Sequence, residues 1–113
     1  MAETRAKHET LADGRWGSFS LMEQLGNVGS EVGRATSAKR RGDDARMWSA
    51  LERALELIDL TIADPRWIDR LKEPLRAREL ICDFLVGDNE YGSTGEGLDA
   101  YFLPFAIAAR STR

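Results

Sequence analysis

Glu52, Glu56 and Asp59 stand four and three positions apart. On a helix this spacing brings all three carboxylates to one face, because side chains three and four apart are neighbours there. A hard divalent cation such as magnesium needs oxygen donors gathered in this way, and the chemistry it would support is metal-assisted hydrolysis of a phosphate ester. Glu31 upstream and Asp83 downstream are the acids that could complete such a set. The alternative metal site is therefore Glu31, Glu56, Asp59 and Asp83. Arg46 and Arg53 are interleaved with these acids, a pattern that describes a solvated, ion-paired face better than a metal centre.

Other reactive residue types are scarce. The chain has one cysteine, Cys82, and one histidine, His8. A disulfide framework or a Cys/His zinc site cannot be assembled from that pair. Cys82 lies within the run Leu80, Ile81, Phe84, Leu85, the setting of a small core residue and not of a nucleophile. The segment Asp88 to Glu96 has acids at alternate positions like a calcium loop. Its glycine, however, falls at the fifth position and its twelfth residue is Asp99, so it reads as a turn. No catalytic motif stands out and no cofactor is expected; whether the chain is an enzyme is left open, leaning against.

The elements that must position these residues are all helical. Ser20-Leu-Met-Glu23 forms a capping box. Leu21, Leu25, Val28, Val32 and Ala35 then recur at helical spacing up to Lys39-Arg40-Arg41-Gly42. Asp43 caps a second helix carrying Met47, Trp48, Leu51, Ala54, Leu55, Ile58 and Ile62. Asp64-Pro65 closes it and is expected to open a third helix, running through Trp67 to Leu85 and bent at Pro74. Ser93-Thr-Gly-Glu96 predicts the cap of a last helix ending near Ala109. The fold class is all-α: a four-helix up-and-down bundle with a short apolar fourth helix. Residues 1–15 read as a flexible, polar N-terminal tail without a signal sequence, and 16–110 as one domain. No apolar run is long enough for a membrane span, and the default compartment is the cytoplasm.

Two elements carry oddities. Gly26, Gly29 and Gly33 lie inside the first helix, where each destabilises by roughly 1 kcal/mol against alanine. They predict a close helix crossing. In the last helix Tyr101, Phe102, Leu103, Phe105 and Ile107 leave almost no polar face. Such a helix must be covered on more than one side, so these five are expected to form an interface, with self-association preferred.

Charge gives two opposed signals. The net charge is −3, against a dedicated nucleic-acid binder. Yet Arg34, Lys39, Arg40, Arg41 and Arg46 cluster where the first two helices join.

Glu56-x-x-Asp59 resembles the spacing with which all-α NTP pyrophosphohydrolases hold magnesium on one helix. Those enzymes pair it with Glu-x-x-Glu on a preceding helix, and Glu23 and Glu31, eight apart, do not match. The strings Glu23-Gln-Leu-Gly-Asn-Val-Gly-Ser-Glu31-Val, Glu52-Arg-Ala-Leu-Glu-Leu-Ile-Asp59-Leu-Thr-Ile-Ala-Asp64 and Asp88-Asn-Glu-Tyr-Gly-Ser-Thr94 resemble a family of short prokaryotic all-helical proteins with no known activity. The resemblance spans residues 16–110 and implies a helical fold, with no site to carry over. The leading expectation is an oligomeric interaction or accessory protein, either a homo-oligomer or bound to a protein partner. A nucleic-acid accessory protein and a magnesium-dependent phosphohydrolase follow as alternatives.

Overall fold

The computed structural model describes residues 15–111. Four helices build it: α1 (Leu21–Arg40), α2 (Asp44–Ala63), α3 (Lys72–Leu85) and α4 (Gly95–Ser111). Single 3₁₀ turns lie at Trp16–Ser18 and Pro65–Trp67, and there is no strand among the described residues. The fold is an all-α bundle. The tail expected over residues 1–15, His8 included, falls outside the described residues apart from Arg15.

Helix α1 starts at the capping box. The Glu23 amide donates to Ser20 Oγ at 3.1 Å, and the Ser20 amide donates to Glu23 Oε1 at 2.9 Å. Its end is closed by Gly42 at φ +73°, a left-handed conformation that glycine adopts without strain. Asp43 then accepts from the Arg46 amide at 3.2 Å and begins α2. With so short a link the two helices fold back on one another. Arg53 and Glu31, equidistant from Gly42 along the chain, meet at 3.2 Å.

The core takes Val28, Val32 and Ala35 from α1, Leu51, Ala54 and Ile58 from α2, Ala77 and Ile81 from α3, and Leu98 and Phe102 from α4. Helix α1 is the central element, packed along α2 on one flank and α4 on another. Burying these side chains supplies the main driving force for the fold, about 1.5–3 kcal/mol for each large one.

Two helix starts differ from the sequence expectation. Asp64-Pro65 opens only a 3₁₀ turn, and α3 begins at Lys72. A continuous helix from Pro65 would set Pro74 in its interior, where the ring meets the carbonyl four residues back. Beginning at Lys72 puts Pro74 in the first turn, where an amide would have no helical partner. Pro74 therefore starts α3 instead of bending it. At α4 the cap is Thr94 and not Ser93: the Gly97 amide donates to Thr94 Oγ1 at 2.9 Å. Ser93 is held in the loop by Asn89, whose Oδ1 accepts the Ser93 amide at 2.8 Å while its Nδ2 donates to the Ser93 carbonyl at 3.0 Å. Nor is α4 short, at 17 residues against 14 in α3; it continues through Pro104.

Candidate interaction surfaces

Helix α4 lies along the glycine-bearing face of α1. A Cβ built on Gly29 would stand 2.7 Å from Phe102 Cβ, one on Gly26 3.4 Å from Ala106 Cα, and one on Gly33 3.7 Å from Asp99 Oδ1. The missing side chains thus let the α4 backbone approach, and the tightest point is Gly29 against Phe102.

This docking sorts the five residues expected at an interface. Phe102 is 4% exposed and belongs to the core of the chain itself, which removes it from any interface while α4 stays docked. Tyr101 and Phe105 are half-buried, edge-on to each other at 5.7 Å between ring centroids. The Tyr101 hydroxyl donates to Glu73 on α3. Burial pushes its phenol pKa well up, and the bond to the Glu73 carboxylate adds to that. Leu103 and Ile107 remain 53% and 47% exposed. Ala100 and Pro104 are exposed beside them. Their spacing, 100, 103, 104 and 107, is that of one helix face, so α4 turns an uncharged strip outward.

The four carboxylates of the alternative metal site are dispersed. Glu31 is shared by Arg53 at 3.2 Å and Arg34 at 3.3 Å. Asp59 accepts from Arg78 Nε at 2.9 Å. Asp83 accepts the amides of Glu90 and Tyr91 at 2.7 and 3.1 Å and so closes the loop after α3. Glu56 lies on the half-buried flank of α2. Among the described residues no three histidine, cysteine or acidic side chains converge to hold a metal ion. Tyr91, in the same loop, donates to Glu79 Oε2 at 2.8 Å and stays exposed; that bond raises its phenol pKa.

The basic cluster is divided. Arg34, Arg41 and Arg46 line a groove of about 640 Å³ between α1 and α2, joined by Arg53. Lys39 turns away to the Phe84 ring, 5.6 Å from its centroid, and Arg40 reaches towards Gly95 at the start of α4. In the sequence Arg53 does not stand out as part of this cluster, because the acids on its own helix point to local pairing. Its place in the groove depends on how α1 and α2 are registered.

A polar knot around one buried glutamine fixes the other end of the hairpin. Gln24 is fully buried. Its Nε2 donates to the Trp16 carbonyl at 2.9 Å and to Asp64 Oδ2 at 3.3 Å, while its Oε1 accepts from Trp67 Nε1 at 3.0 Å. Arg66 bonds Asp64 at 2.7 Å, donates to the Phe19 carbonyl at 2.9 Å, and stacks 4.4 Å from the Trp67 ring centroid. The Arg66 hydrogen bond is the largest cause of a carboxyl pKa near 2 at Asp64. This knot is structural: the polar atoms of Gln24, Asp64 and Arg66 satisfy one another, while among the described residues the buried Trp16 indole N–H has no partner.

No protein-family model, curated protein or solved structure matches the chain. Among the described residues no helix is long and apolar enough to cross a membrane.

Proposed function

We propose that this protein is a helical-bundle interaction module, working in the cytoplasm, that associates with a second copy of itself through the outer face of α4. The observation that carries the reading is the uncharged strip Ala100, Leu103, Pro104, Ile107 on a helix whose opposite side is already docked. A single exposed leucine needs no explanation, but a contiguous apolar strip along one helix face is the mark of a contact surface. The tight seat of Phe102 against Gly29 supports that strip from behind, so the surface is presented without ordering a loop, which lowers the cost of association. Among the described residues the acidic side chains are dispersed, which leaves binding as the role this geometry favours over catalysis. Light scattering across micromolar concentrations tests the reading. A mass rising above the 12.6 kDa of one chain supports it, and 12.6 kDa throughout contradicts it.

A further inference from the structure

The groove between α1 and α2 lies apart from the α4 strip and has its own chemistry. Its lining carries four guanidinium groups, on Arg34, Arg41, Arg46 and Arg53, and two carboxylates, Glu31 and Asp43, lie against them. Gly33 and Ala50 lie among the lining, and their lack of bulk leaves the groove about 640 Å³. Ser30, Ser37 and Ser49 place hydroxyl groups between the arginines.

The four arginines are held in place without being fully neutralised, and Arg46 pairs with Asp43 at 3.4 Å. Arg34 and Arg53 share the single carboxylate of Glu31. Arg41 donates to the hydroxyl of Ser37 at 2.7 Å, a neutral partner. Arg53 likewise donates to Ser49 at 2.8 Å. In a chain of net charge −3 this is a local concentration of positive charge. Guanidinium forks match phosphate oxygens in pairs, and serine hydroxyls add donors at the same edge.

Spacing narrows the ligand. Arg34 on α1 and Arg41 at its C-cap are two turns apart, as are Arg46 and Arg53 on α2. At about 1.5 Å rise per residue the two ends of the groove lie roughly 10 Å apart. One phosphate reaches one end only. We infer that the groove binds a ligand bearing a row of several phosphate groups, one at the Arg41/Arg46 end and a later one at the Arg34/Arg53 end. That chemistry is common to a nucleic-acid strand and to a free polyphosphate.

The test uses the full chain at low ionic strength with two probes, inorganic tripolyphosphate and a labelled 12-nucleotide single-stranded RNA. Arg41→Ala removes a groove charge, and Arg76→Ala removes an equal charge from the exposed side of α3. Circular dichroism checks that both variants stay folded. The expected result is saturable binding of at least one probe, weakened about tenfold or more by R41A and left nearly unchanged by R76A. RNA displaced by tripolyphosphate assigns the free-polyphosphate source, and RNA that resists displacement assigns the strand. For the strand, the salt slope should fall by about 0.7 when one arginine is lost. Absence of binding by both probes, or equal affinities for R41A and R76A, overturns the inference.

Discussion

Gly29 on α1 and Phe102 on α4 are in contact so close that the Cβ of an alanine at 29 would stand 2.7 Å from Phe102 Cβ and 3.0 Å from its Cγ. Phe102 Cβ is anchored to the α4 backbone, so relief requires α4 itself to move. Gly33 differs, because its added Cβ would meet only Asp99 Oδ1, at 3.7 Å. Gly33→Ala is therefore expected to stabilise the fold by up to about 1 kcal/mol through helix propensity. Gly29→Ala is expected to destabilise it by about 1–3 kcal/mol through overpacking. Urea midpoints measure both, and two shifts of the same sign would contradict the packing described.

Acid should act on the Gln24 knot. The Asp64 carboxyl is lowered from 3.8 to about 2, first by the Arg66 side-chain hydrogen bond, with desolvation opposing and the Arg66 amide and Gln24 assisting. A folded-state pKa below the unfolded one gives stability that is fully present above about pH 4 and is lost as pH falls towards 2. Unfolding curves between pH 5 and pH 2 should show that slope, and Asp64→Asn should flatten it. Gln24→Leu leaves the Trp67 indole N–H without its acceptor and is expected to destabilise by about 1–3 kcal/mol at any pH.

The ion pairs that disperse the carboxylates should differ in strength. Arg53 and Glu31 are 25% and 15% exposed, whereas Arg78 and Asp59 are 42% and 56% exposed. Double-mutant cycles should give a coupling of about 0–1 kcal/mol for Arg78–Asp59 and a larger one for Arg53–Glu31. With Glu31 and Asp59 engaged in this way, millimolar magnesium is expected to leave Tm unchanged; a rise of several degrees would contradict the assignment.

What was legible in the sequence is what is decided within a few residues. Ser20 with Glu23, and Asp43 with Arg46, cap their helices as their spacing predicts. Ser93 and Thr94 are adjacent residues of similar capping ability, and the choice between them turns on Asn89 binding Ser93. Pro74 reads as a bend or as a start depending on where α3 begins, which Pro65 alone does not decide. In α4 apolar residues surround the axis, so periodicity could not tell Phe102 from Leu103; the position of the α1 glycines does. The arginine groove is legible only in part, since Arg53 reaches it through the register of two helices.

The most direct measurement of the central claim is sedimentation of three proteins: the wild type, Leu103→Asp/Ile107→Asp, and Trp48→Asp. Trp48 is 50% exposed on α2 and serves as an apolar control away from the α4 strip. Association is expected of the wild type, a folded monomer of the α4 double variant, and wild-type association of Trp48→Asp. A monomeric wild type, or an α4 double variant that still associates, would contradict it.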